Sequence, residues 1–409
     1  MTTSTDHTTQ TATVPSVPQS AIDELHRRLE NIRWPQVVDE SASGHGLSLA
    51  TTRRLAEHWR TGFDWRAVEA ELDRLGQQLV TTPDGRQLHV IHAKAPSATG
   101  IPVLLSHGWP DSSLRFTKLI PLLTAAGHDV VVPMIPGFGF SDQPSGETSP
   151  SFVAEDFGWL MGELGYTRYA AHGGDWGSSV VTALATAHPE SVVALHLTDV
   201  PWDKTFSVDR EQASPVEQTY LDAASNWAAG QTYLLANTAN PDTIGVALSD
   251  SPVGLLAWIA EMYQEWSEEP IPDDDVLALV SLLWLTNSVR SSIRLYSEPA
   301  GAWDESSWED AGDGAWDGAG GEWGSAGDGD AGGDAGAQGG WNVGRIDVPT
   351  AFALFPKDLA GVPPREFAER FFPVERFTVM PKGGHFAALE QPDLLAEDLI
   401  TFLAGFGAQ

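Results

Sequence analysis

Gly173-Gly174-Asp175-Trp176-Gly177 stands between a short apolar run, Tyr169-Ala170-Ala171, and a helical stretch from Ser178 to His188. That is the setting of a nucleophile elbow, with an aspartate in the nucleophile's place and outer glycines that permit a tight strand-to-helix turn. A carboxylate is already ionised and gains nothing from deprotonation by a base. It can attack an sp³ carbon and form an alkyl ester, which water must then cleave. The competing use of Asp175 is as a cap on the helix that follows. Ester cleavage needs a base, and His385, in Gly383-Gly384-His385-Phe386, follows the last apolar run of the chain. Imidazole takes a proton from water near neutral pH, and this histidine closes the chain order nucleophile, acid, base. The carboxylate that orients it is read as Asp358, in Phe355-Pro356-Lys357-Asp358, after the preceding run. Asp199, just after Val192 to Leu197, is its rival, whereas Asp347 precedes its strand and points to the wrong end. His107-Gly108-Trp109-Pro110 ends an earlier run, so the backbone amides of Trp109 and Trp176 are read as an oxyanion hole, with His107 itself structural.

These residues need a sheet to carry them. From Leu88 onward, short apolar runs end in Gly-rich or Pro-rich turns and are followed by amphipathic stretches, the alternation of a parallel sheet covered by helices. Val103 to Leu105, Val130 to Val132, Tyr169 to Ala171 and Val192 to Leu197 are such strands. The rhythm stops near Pro201 and resumes near Arg345, with strands at Ala351 to Phe355 and Phe377 to Met380 and a closing helix from Pro392 to Phe402. The fold class is therefore α/β. Residues 1–20 are expected to be a disordered tail and 21–87 an N-terminal helical extension, with Ile22, Leu25, Leu29 and Ile32 at three- and four-residue spacing. Residues 88–201 and 345–409 form the two parts of the core, and 202–344 form a helical lid. Within the lid, residues 300–341 hold 14 Gly, ten acidic residues and five Trp without a basic residue, too little apolar area for a packed core.

The chain has 409 residues, 23 basic against 56 acidic, for a formal charge of −33. That balance argues against nucleic acid and against anionic membrane surfaces, which are held by clustered Lys and Arg. The absence of cysteine excludes disulfides, thiolate nucleophiles and Cys-bound metals. The polar start does not read as a secretory signal, and no run reaches the ~18 apolar residues of a membrane helix, so a soluble cytoplasmic protein is expected.

The chain resembles the α/β-hydrolase epoxide hydrolases, in particular the microsomal and fungal-like branch that carries an N-terminal helical extension. Leu25-His26-Arg27-Arg28-Leu29 with Arg33-Trp34-Pro35, Phe63-Asp64-Trp65-Arg66, His107-Gly108-Trp109-Pro110, the elbow, Asp250-Ser251-Pro252-Val253-Gly254-Leu255 and Gly383-Gly384-His385-Phe386-Ala387-Ala388 carry the resemblance. It covers Ile22 to Phe402 apart from the Gly/Asp/Trp-rich insertion. It implies an α/β-hydrolase fold, a nucleophile at Asp175, a charge-relay carboxylate at Asp358 and a water-activating base at His385. It also implies two lid tyrosines that polarise an epoxide oxygen, Tyr233 in Thr232-Tyr233-Leu234-Leu235 and Tyr296 in Ser291-Ser292-Ile293-Arg294-Leu295-Tyr296. By residue type alone each tyrosine reads as packing. The implied reaction turns a small-molecule epoxide and water into a vicinal diol, with no metal, cofactor, nucleic acid or membrane, and a homodimer is compatible with it. A haloalkane dehalogenase is the nearest rival, since it uses the same aspartate, histidine and acid, with a Trp such as Trp176 on the halide. A non-catalytic hydrolase-fold binding protein is expected to lose part of the triad, and all three positions are intact.

Overall fold

A computed structural model of the chain describes residues 11–42, 44, 46–297 and 344–407. The acidic insertion expected at 300–341 and the first ten residues lie outside the described residues. The apolar runs become strands of one nine-stranded sheet: β1 (Thr11–Ala12), β2 (Gln77–Thr81), β3 (Gln87–Ala93), β4 (Val103–Ser106), β5 (Val130–Pro133), β6 (Tyr169–Gly173), β7 (Val192–Leu197), β8 (Thr350–Leu354) and β9 (Val374–Val379). Their order is β1-β2-β3-β5-β4-β6-β7-β8-β9. The first three join antiparallel, and β4 to β9 pair in parallel. Every residue of β4, β5, β6 and β8 is buried, as expected of parallel strands covered on both faces.

Two expectations for the N-terminal region are corrected. Residues 11–20 are not a free tail: β1 pairs with β2, and Val17 is buried with its amide on Glu69 Oε1 at 2.7 Å. The extension is not wholly helical either. Helices α1 (Gln19–Glu30), α2 (Leu49–Thr61) and α3 (Trp65–Arg74) are followed by β2, because the helical apolar spacing ends at Leu75 and Val80 enters the sheet core.

The sheet is flanked by α4 (Leu119–Ala125), α5 (Pro150–Glu163) and α6 (Trp176–Ala187). The lid follows β7 as α7 (Trp202–Phe206), α8 (Pro215–Ala229), α9 (Thr232–Ala239), α10 (Pro241–Asp250), α11 (Pro252–Trp266), α12 (Asp273–Leu285), α13 (Val289–Ser292) and α14 (Arg294–Ser297). Serine caps start α8 and α11, each followed by a proline whose missing N–H costs the helix nothing there. The C-terminal part adds α15 (Arg365–Glu369), α16 (Ala387–Glu390) and α17 (Pro392–Leu403). Among the described residues no single helix is long and apolar enough to cross a membrane.

Helix α17 is tied to the sheet through a buried carboxylate. Asp398 accepts from Arg376 on β9 at 2.8 Å and lies 3.2 Å from His196 Nε2 on β7. Burial would push its pKa up, but hydrogen bonds from His196 and Arg376 outweigh it and hold the carboxyl well below the usual range. A lowered folded-state pKa stabilises above the unfolded value of ~4, and that stability is lost as pH falls through the folded value. Asp398→Asn is expected to cost about 1–3 kcal/mol in urea unfolding at pH 7, with the gap to wild type closing below pH ~4.

Candidate functional site

Pairing of β4 with β6 sets Ser106 opposite Gly173, so the chain leaving each strand meets the other. Asp175 sits at the resulting bend as the first residue before α6, with φ 57° and ψ −136°. The positive dihedral falls on the aspartate itself, a conformation costly for any residue with a Cβ. Asp199 Oδ2 accepts the Asp175 amide at 2.6 Å and helps hold it there. Of the motif glycines, Gly177 answers a packing need: a Cβ there would collide with the carbonyls of Ser106 and His107. Gly108 likewise leaves room for the Asp175 carboxylate.

The two oxygens of that carboxylate face different partners. Oδ1 accepts from the Trp109 amide at 2.8 Å, and the Trp176 amide also bonds the carboxylate. Oδ2 lies 3.8 Å from His385 Nε2. Burial raises the pKa of Asp175, opposed by His385 and the two amides. On the far side of the imidazole, Nδ1 lies 2.8 Å from Asp358 Oδ1. Burial disfavours the charged ring, but the charge of Asp358 and its hydrogen bond, with Asp175, outweigh it, so His385 ends above its usual value.

The structure thus brings Asp175, Asp358, His385 and the amides of Trp109 and Trp176 together. It separates Asp199 from the histidine: this carboxylate is spent on the Asp175 backbone, and burial with the nearby Asp358 charge raises its pKa. His107 is a neutral core residue whose Nε2 accepts the Ile135 amide at 3.0 Å, and burial lowers its pKa to about 3.

Tyr233 from α9 and Tyr296 from α14 face this carboxylate from the lid. Tyr233 stacks on Trp109 at 5.3 Å, and Tyr296 meets the Trp109 and Trp176 rings edge-on at 5.3 and 5.2 Å. The two hydroxyls bond each other, and the Trp176 indole bonds Tyr296. Burial pushes both phenols well above 10, so each is a neutral donor. The Trp109 indole is also engaged, donating to Ser292 Oγ at 3.1 Å. Among the described residues no cluster of three or more His, Asp or Glu could hold a metal ion.

Several supporting groups escaped the sequence reading. The Trp266 carbonyl, at the end of α11, accepts the His385 amide at 2.9 Å, and its ring meets the imidazole edge-on at 5.3 Å. Glu390 accepts the amides of Glu268 at 2.8 Å and Gly384 at 3.1 Å, and Glu268 accepts that of Gly383. Two carboxylates therefore clasp the end of α11 to the loop carrying His385. From the core, Arg115 donates to the His385 carbonyl at 2.7 Å and pairs with Asp111 at 3.1 Å. Burial lifts Asp111 to about 6 despite that pairing. Acidic residues are abundant in this chain, so no spacing distinguished these from solvated ones.

Residues 10–116 match the family model described as epoxide hydrolase N terminus, and residues 101–240 that of the alpha/beta hydrolase fold. A putative epoxide hydrolase of Stigmatella aurantiaca is 36% identical over 401 residues, covering 94% of this chain and 82% of that protein. Epoxide hydrolase 1 of Sus scrofa is 29% identical, covering 93% and 86%. The solved epoxide hydrolase of Aspergillus niger superposes with a TM-score of 0.77 at 28% identity, covering 97% of this chain and 96% of that one.

Proposed function

This chain belongs to the epoxide hydrolase family, on the α/β-hydrolase fold, and from that premise we infer that it converts an epoxide into a vicinal diol through a covalent ester on Asp175. Oδ2 attacks a ring carbon while Tyr233 and Tyr296 donate to the oxygen, so the C–O bond breaks as a proton arrives. His385 Nε2 then takes a proton from water, whose oxygen adds to the ester carbonyl carbon. The negative charge develops on Oδ1, held by the amides of Trp109 and Trp176. Collapse expels the alkoxide, which the imidazolium protonates, and the remaining proton returns to the tyrosine pair. Asp358 fixes the ring tautomer and stabilises the imidazolium.

The observation that carries this reading is how one carboxylate is held: the Trp109 amide bonds Oδ1, the Trp176 amide also bonds the carboxylate, and Oδ2 faces the base 3.8 Å away. Both indole N–H groups beside it are committed to side chains, which leaves a departing halide without its donors. A single turnover in ¹⁸O water with enzyme in excess tests it. The ester route delivers the label to Asp175 and an unlabelled diol, whereas direct attack by water labels the diol.

The base must be neutral to work, so ester hydrolysis is lost as pH falls through the raised pKa of His385. Asp358→Asn removes the carboxylate that raises it. The acid limb of kcat is then expected to move to lower pH, while the plateau drops about 10²–10⁴-fold through loss of tautomer control. An acid limb that stays in place would assign the orienting role elsewhere.

A further inference from the structure

We propose that Asn237 binds a polar substituent of the substrate, so that the site selects epoxides carrying a hydrogen-bonding oxygen or nitrogen near the ring over hydrocarbon epoxides; this rests on the epoxide reading above.

Helix α9 buries only two of its eight residues, Tyr233 and Asn237. They stand four apart on one face, and helical side chains lean toward the N-terminus, so the Asn237 carboxamide lies over the turn that carries Tyr233. That face is turned toward the site: the Tyr233 ring packs on Trp109, Trp266 and Tyr296, and α9 packs against α14. The opposite face is open, with Leu235 68% exposed. Asn237 itself is 0% exposed.

Neither Oδ1 nor Nδ2 of Asn237 has a hydrogen-bond partner among the described residues. A buried carboxamide brings two N–H donors and an acceptor, and burying them unpaired is costly. Leucine has nearly the same shape and carries no such penalty. The same helix also holds one of the two phenols read as gripping the epoxide oxygen. One turn, an axial rise of about 6 Å, separates the two Cα positions. A hydroxyl, ether, ester or amide group on the chain borne by the oxirane would meet the carboxamide, which offers both a donor and an acceptor. A site built to bond such a group discriminates strongly against an analogue lacking it, because the protein group is then left unpaired.

Asn237→Leu, with Asn237→Gln as the variant that keeps a carboxamide, tests this on two terminal epoxides of matched length, an epoxyalkane and its analogue with an amide in the chain. Wild type is expected to favour the amide epoxide in kcat/KM. Asn237→Leu should lower that ratio about 10–100-fold, and Asn237→Gln should restore part of it. A ratio within threefold of wild type in Asn237→Leu, or no wild-type preference, overturns the proposal in favour of a carboxamide satisfied by trapped water. Calorimetric titration with the two matching diols separates recognition from turnover. Tighter binding of the amide diol, abolished in Asn237→Leu, supports the assignment, and equal affinities sink it. Absence of diol from either epoxide with wild type would instead count against the epoxide reading, with the titration still deciding the role of Asn237.

Discussion

Asp175→Ala is expected to yield neither diol nor covalent adduct, whereas His385→Gln should stop steady turnover and accumulate protein heavier by one epoxide. On the proposed mechanism Asp175 forms the ester and needs no base to do so. On the same mechanism His385 is required to break it. Both substitutions should lower steady-state kcat by at least about 10³-fold, the scale of removing one member of a unit that acts together. Intact-mass spectrometry after incubation with a turned-over epoxide separates the two, and peptide mapping should place the adduct on Asp175. An unmodified mass for folded His385→Gln would point to direct attack of water on the ring, with Asp175 reassigned as a base. The prediction is sharp because Oδ2 and Nε2 lie 3.8 Å apart, outside hydrogen-bond distance.

The second large effect is expected on the lid. Tyr233→Phe or Tyr296→Phe should slow alkylation about 10–1000-fold, the scale of losing one donor aimed at developing charge. The double variant should be nearly silent. Ester hydrolysis, measured after loading the enzyme, should change far less, since the tyrosines act on the ring oxygen. Stopped-flow tryptophan fluorescence reads the first step directly, because Trp109 packs on both phenols and Trp176 on Tyr296. Wild-type alkylation rates in both single variants would remove the proton-donor assignment and revive the dehalogenase reading.

The sheet and its helices were legible because buried parallel strands are written as apolar runs ending in glycine or proline, as in Val103 to Leu105 before His107. Asp175, Asp358 and His385 were legible for the same reason: each follows a strand, and strand ends converge. Strand logic alone left Asp199 beside Asp358, and only the folded chain shows that one carboxylate holds a backbone amide while the other meets the imidazole. The edge of the sheet was less legible. Gln77 and Gln78 carry no strand signal of their own, and β1 exists only through its pairing with β2. Glu268 acts on the amide of Gly383 and Glu390 on that of Glu268, partners 115 and 122 residues away, and Asn237 is singled out by having no partner among the described residues, which sequence does not display.

The clasp between α11 and the His385 loop makes the placing of the imidazole depend on the lid as well as on Asp358 and Arg115 of the core. The nucleophile and the two amides behind it belong to the sheet, whereas both phenols belong to the lid and the imidazole is tied to it by Trp266, Glu268 and Glu390. A displacement of α11 would therefore strain the His385 loop against its core bonds while leaving the Asp175 carboxylate on its amides. An alkylating agent whose leaving group needs no proton can then react with Asp175 whatever the lid is doing. If it also props the lid open, the ester it leaves has no aligned base to cleave it, and such a compound would count active sites one for one instead of being consumed.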